Sequence, residues 1–101
     1  MRQFRMYLDK RRTFRLTPRA IARDRWLKEG CDKERKSPLW NVAASCWLFL
    51  IDEDPELTVE RVEKILTDYL ARDVFGFRRR AMIRLRTRLG AMLQQYREEA
   101  L

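Results

Sequence analysis

Residues 38–51 read PLWNVAASCWLFLI, and this stretch decides the fold because it is apolar at nearly every position. Its polar side chains, Asn41 and Ser45, are four residues apart and would share one face of a helix. A helix that is apolar almost all round is normally buried at the centre of a domain. The run is too short to span a bilayer. We therefore predict a central, buried helix over 38–51.

The chain before this helix carries one further helix signal and two alternating stretches. A Thr-Pro pair at 17–18 is a typical helix start and Gly30 a typical stop, so we expect a helix over 18–29. Apolar and polar residues alternate at 4–8 and again at 13–17. This pattern favours a β-hairpin or a pair of short strands. A short helix over the first stretch is the alternative.

Two amphipathic helices are predicted after the central one. An acidic linker at 52–56 separates it from Thr58, which can cap a helix over 58–72. A break at 73–76 then leads to a last helix over 78–99. Both helices carry apolar residues at the three- and four-residue spacing of a core-facing stripe.

The predicted fold class is mainly α, a small four-helix domain with an N-terminal extended segment. The helical domain is expected over 17–101, and a basic N-terminal arm or strand pair over 1–16. Only 3 Gly and 3 Pro occur, which leaves little room for a turn-rich β architecture. The charged fraction of 38% suits helices with long solvated faces.

The charges fall into three blocks along the chain. Residues 1–36 hold 13 Lys/Arg against 5 Asp/Glu, residues 37–73 hold 3 against 8, and residues 74–101 hold 7 against 2. Of the 23 basic residues, 18 are Arg. A guanidinium is a planar fork that grips phosphate or carboxylate with two hydrogen bonds. The blocks therefore indicate two anion-binding surfaces around an acidic middle.

The composition argues against an enzyme. Histidine, the commonest general base and metal ligand, is absent. Cys31 and Cys46 alone cannot form a zinc site of normal type and are interpreted as free thiols in a reducing cytoplasm. No Gly-rich phosphate loop or nucleophile motif occurs. We expect no catalytic residues, no cofactor, no metal and no membrane partner.

The last helix carries the clearest candidate site. Arg80, Arg84 and Arg88 would align at spacing four along one flank of the apolar stripe, with Arg79 and Arg86 near the other flank. Like charges at this spacing repel in an isolated helix, which suggests an anion within reach. Phosphate binding is the functional interpretation, and a solvated face or pairing with the acidic block is the alternative.

The N-terminal basic block is the second candidate. Arg19, Arg23 and Trp26 would share one face of the first helix, where a Trp beside two Arg can stack on an unpaired base. The alternative is that Trp26 belongs to the core. The residues expected to contact nucleic acid in both blocks are Arg11, Arg12, Arg15, Arg19, Arg23, Trp26, Arg79, Arg80, Arg84, Arg86 and Arg88.

Asp52, Glu53 and Asp54, with Glu56, form an acidic cluster between helices. The cluster lacks the ligand spacing and glycine of an EF-hand. A solvated linker that favours the next helix's N-terminus is the simplest interpretation. Contact with a basic partner is the alternative.

Residues 13–51 resemble the ribbon-helix-helix family of DNA-binding proteins. TFRLTPRAI at 13–21 is followed by a helix, a glycine and a serine-started helix. The resemblance implies a strand that pairs with its twin in a dimer and reads the major groove, with phosphate held around Ser37. Residues 52–101 have no counterpart in the minimal family fold. By resemblance, the groove-reading residues are Thr13, Arg15 and Thr17.

Together these features predict a small, basic, non-catalytic nucleic-acid-binding protein of the cytoplasm, acting on DNA or RNA. In general character it resembles the small helical subunits of nucleoprotein machines, including RNA-guided defence complexes. One alternative is a protein-interaction module, a phage- or plasmid-type inhibitor or adaptor that docks an acidic surface. Another is a dimeric repressor of the ribbon-helix-helix type. Partner subunits or a homodimer are compatible with each.

Overall fold

The computed structural model of the protein describes residues 3–23 and 38–100. It is mainly α, with four helices and an N-terminal two-stranded antiparallel hairpin. A first helix, α1, begins at residue 18 and is described to residue 23. The other elements are β1 (Gln3–Tyr7), β2 (Arg11–Arg15), α2 (Pro38–Leu50), α3 (Val59–Ala71) and α4 (Phe77–Ala100).

The predicted fold class is confirmed, and where the described helix ends differ from the predictions, they differ by one residue. Ile51 lies in the turn that follows α2, and α4 begins at Phe77 rather than at residue 78. The N-terminus forms the hairpin and not the alternative helix, with Phe4 opposite Phe14 and Tyr7 opposite Arg11. The predictions for Trp26, Gly30, Cys31 and Ser37 fall outside the described residues.

Helix α2 is the centre of the core, as its sequence predicts. It packs against α3, α4 and β2. Seven of its residues are buried: Ala43, Ala44, Cys46, Trp47, Leu48, Phe49 and Leu50. Burial also raises the pKa of the Cys46 thiol to about 12, so this side chain acts as a small apolar residue at neutral pH.

Helices α3 and α4 cover α2 with their apolar stripes. In α3 the stripe is Val59, Val62, Ile65 and Leu66. In α4 it is Met82, Leu85, Leu89 and Met92. The hydroxyl of Thr58 accepts a hydrogen bond from the Arg61 amide, which confirms the predicted cap of α3.

A left-handed turn joins α3 to α4. Phe75 has φ 59° and Gly76 has φ 80°. Glycine adopts this conformation freely, whereas for a bulky residue such as Phe it is a genuine outlier. The carboxylate of Asp73 then accepts a hydrogen bond from the Arg78 amide and caps the start of α4.

Phenylalanine side chains attach the hairpin to the core. Phe14 is fully buried, and its ring stacks on that of Phe4 with centroids 4.9 Å apart and planes 5° from parallel. Because strand side chains alternate, Phe4, Met6 and Phe14 face inward together. The inward face of the hairpin therefore adds a second layer to the α2 core.

Candidate nucleic-acid interface

The acidic turn after α2 docks on β2 and α1. Asp52 accepts a hydrogen bond from the Thr17 hydroxyl. Glu53 accepts one from the backbone amide of Thr13, with an N–O distance of 3.0 Å. The Trp47 indole donates to the carbonyl of Leu57 at 2.7 Å and holds the end of the same turn against α2. The carboxylates at 52 and 53 thus contact the chain's own donors.

The side chain of Arg12 is enclosed by carboxylates, one from the acidic turn at Asp54 and one from Asp9. Its side chain is 6% exposed and lies 2.8 Å from Asp9 and 3.4 Å from Asp54. The hydrogen bond from its guanidinium lowers the pKa of the Asp9 carboxyl, although burial of that carboxyl acts in the opposite direction. Arg12 was expected to contact nucleic acid from the sequence. Its placement assigns it to the interior, so it is not part of the candidate interface.

On the other side of the hairpin, an open groove separates β1 from α4. We call it the β1–α4 groove; its volume is about 460 Å³. Its lining contains three arginines, four apolar residues and no carboxylate within the described part of the chain. The lining residues are Phe4, Arg5, Met6, Ala81, Arg84, Leu85 and Arg88.

The groove's arginines stand on opposite walls. Arg5 comes from β1, and Arg84 and Arg88 come from α4. The Arg88 guanidinium lies over the Phe4 ring, 4.5 Å from its centroid. A cation–π contact of this kind is worth about 0.5–1 kcal/mol at an exposed site and fixes the direction of the guanidinium. All three side chains are exposed, and no described carboxylate pairs with them.

The remaining arginines of α4 divide between the two flanks of the helix. Arg80 is exposed one turn before Arg84 and continues the line toward Arg88. Arg79 and Arg86 are seven residues apart, so they share the opposite flank, and both are exposed. Arg78 has a structural role. It is half-buried, donates to the Tyr69 carbonyl at 3.2 Å and lies over the Tyr69 ring.

The other predicted contacts of the N-terminal block are spread over several surfaces. Arg11 and Arg19 are exposed. Arg15 is exposed and donates to the Gln3 side chain at 3.1 Å. Arg23 lies over the ring of buried Trp47, 5.4 Å from its centroid. Trp26 is outside the described residues, so its predicted stacking role stays a prediction.

The sequence missed two groove residues, Phe4 and Arg5, as parts of a site. The structure places Phe4 both against Phe14 and at the groove. The alternating pattern at 4–8 correctly predicted that both residues lie on a strand. No local signal, however, placed β1 beside α4, since that neighbourhood arises only when β2, the partner strand of β1, and α4 both pack against α2.

The outward positions of the ribbon-helix-helix resemblance lie beside the acidic turn. Thr13 and Arg15 line a small cleft with Asp52 and Glu53. Strand β2 pairs with β1 of the same chain on one edge. On its other edge, the Glu53 carboxylate accepts a hydrogen bond from the backbone amide of Thr13. A candidate interface in the β1–α4 groove therefore does not depend on a ribbon formed by two copies of the chain.

Comparisons with other proteins leave the site to be argued from its own geometry. No family model matches the chain, and searches of the curated proteins and of the solved structures return no significant match. Within residues 3–23 and 38–100, no group of three or more His, Cys, Asp or Glu is placed to hold a metal ion. None of the helices described combines the length and apolarity that crossing a membrane requires.

Proposed function

We propose that this protein is a small, non-catalytic nucleic-acid-binding protein of the cytoplasm, which grips the phosphate backbone in the β1–α4 groove. One observation carries the proposal. Arg5, Arg84 and Arg88 line one open groove, and no described carboxylate neutralises them, whereas the acidic turn is engaged with Thr13, Thr17 and Arg12 on the other side.

The chemistry of the groove suits a phosphodiester. Guanidinium groups on both walls can each donate two hydrogen bonds to phosphate oxygens, which fixes the strand between β1 and α4. Phosphate neutralisation releases condensed counterions and supplies sequence-independent affinity. Arg80 extends the positive line beyond the groove. The proposal includes a role as one subunit of a larger nucleoprotein assembly.

The test is a fluorescence-anisotropy titration of labelled oligonucleotides at low salt. Replacing Arg84 and Arg88 by Ala should weaken binding roughly 30-fold, since two solvent-exposed ion-pair contacts of about 1 kcal/mol each are lost. The matched control replaces Arg79 and Arg86, which removes the same charge from the opposite flank of α4. The control should bind about as tightly as the wild type. Equal loss in both variants would contradict the groove assignment.

The second candidate function is a protein-interaction module that docks an acidic surface. Exposed apolar side chains favour it: Val74 is 59% exposed, Phe75 86% and Ile83 60%. Arg and aromatic residues are both enriched at protein interfaces. The same titration decides between the two functions, because absence of binding to any oligonucleotide at low salt favours the module.

A further inference from the structure

We infer that the β1–α4 groove takes a single-stranded nucleic acid, with an unpaired base stacked on Phe77. This inference rests on the function proposed above and specifies the ligand for the same site. Three observations carry it: the mixed apolar and basic lining of the groove, the exposed ring of Phe77, and the position of that ring on the line of groove arginines.

Apolar and charged residues line the groove together. Phe4, Met6, Ala81 and Leu85 contribute to the lining beside the three arginines. A duplex presents phosphates and keeps its base faces stacked inside the helix. A single strand presents charged phosphates and apolar base faces side by side, which matches a groove with both kinds of surface.

Phe77 extends the line of the groove arginines toward the start of α4. Phe77, Ala81, Arg84 and Arg88 follow one another at spacings of four, three and four residues, so they share one stripe of the helix. At 1.5 Å per residue, Phe77 lies about 10 Å before Arg84 along the axis, and Arg84 about 6 Å before Arg88. The Phe77 ring therefore stands about two helical turns before Arg84 and about three before Arg88.

The Phe77 ring is available to a ligand. It is 65% exposed, although a Phe side chain normally seeks burial. The Phe4 ring differs, because Phe14 stacks on it and the Arg88 guanidinium lies over it. Phe4 therefore serves to position Arg88, and Phe77 is the ring that offers a free face to a base. Stacking of this kind is tolerant of sequence because every base has a π-face.

The experiment compares a labelled oligo-dT and an oligo-U of about 12 nucleotides with a hairpin duplex of matched charge, at low salt. Phe77→Ala should weaken single-strand binding about tenfold and leave duplex binding unchanged. Phe77→Tyr should restore single-strand binding, since it keeps the ring. The matched control is Ile83→Ala, which removes an exposed apolar side chain from the far side of α4 and should bind as the wild type does.

The outcomes separate this inference from the function on which it rests. If the duplex binds as tightly as the single strands, or if Phe77→Ala and Ile83→Ala behave alike, the single-strand inference is overturned. The proposed function then still stands, provided that the Arg84/Arg88 variant loses affinity. If no oligonucleotide binds, both are overturned. Circular dichroism checks that each variant is folded, which is expected because Phe77 and Ile83 are both exposed.

Discussion

Along β2, carboxylates of the 52–54 turn meet an enclosed guanidinium and a backbone amide, whereas along β1 exposed guanidinium groups from two elements meet no described carboxylate. The two sides of one small hairpin thus use the same residue type in opposite ways. Arg12 is paired within the chain and contributes to the fold. Within residues 3–23 and 38–100, no carboxylate pairs with Arg84 or Arg88. Net charge alone, +8 over the chain, does not distinguish these two roles.

The largest expected difference between the two sides of the hairpin is in stability, when one arginine from each side is replaced. Arg12→Ala should lower the free energy of unfolding by about 2–3 kcal/mol, because it removes a buried stem and leaves Asp9 and Asp54 without their partner. Their carboxylates are 40% and 35% exposed, which keeps the loss below that of a fully buried pair. Arg84→Ala should change stability by less than about 0.5 kcal/mol. Urea denaturation measures both, and similar values would remove the distinction.

A smaller effect is expected at the turn that leads into α4. Phe75 holds a left-handed conformation that costs a non-glycine residue about 1–2 kcal/mol. Phe75→Gly should therefore stabilise the fold by about 0.5–1 kcal/mol, once the greater entropy loss of glycine is subtracted. Phe75→Ala retains the strained conformation and serves as the control without that gain. Thermal unfolding gives the comparison, and a gain for both variants would point to ring exposure instead of backbone strain.

The smallest expected effect is the pH dependence of stability that the Asp9–Arg12 pair on the β2 side produces. The pKa of Asp9 is lowered in the folded protein, mainly by its hydrogen bond from Arg12. Asp9 therefore contributes to the free energy of unfolding at pH values above its unfolded pKa of about 4. This contribution is lost as the pH falls through the pKa of Asp9 in the folded protein. Asp9→Asn should be less stable than the wild type at pH 7 by under about 1 kcal/mol, since the carboxylate is partly exposed. This difference should shrink toward pH 2, and a constant difference would argue against the pair.

The fold could be predicted from the sequence because its signals are local. The apolar run of α2, the Thr58 cap and the stripe of α4 each depend on residues within a few turns of one another. The hairpin was one of two alternatives at 4–8, since Phe4 and Leu8 satisfy both a strand and a helix spacing. Packing of the Phe4 ring against Phe14 in the folded protein favours the strand.

The candidate site was only partly predictable from the sequence. Spacing along one helix was enough to align Arg80, Arg84 and Arg88. It could not show that Arg12 would be enclosed by Asp9 and Asp54, because Asp54 is 42 residues away and meets Arg12 only through the turn after α2. Nor could it show that Arg5 would line the same groove as Arg84. Both facts depend on long-range packing around α2.

The salt dependence of oligonucleotide binding tests the central claim most directly. For a single strand, the slope of log K against log salt should fall in magnitude by about 1.4 when Arg84 and Arg88 are both replaced, because two phosphate contacts are lost. The Arg79/Arg86 variant, which carries the same net charge, should keep the wild-type slope. Equal slopes for the two double variants would show that charge acts without regard to position, and would contradict a binding site in the β1–α4 groove.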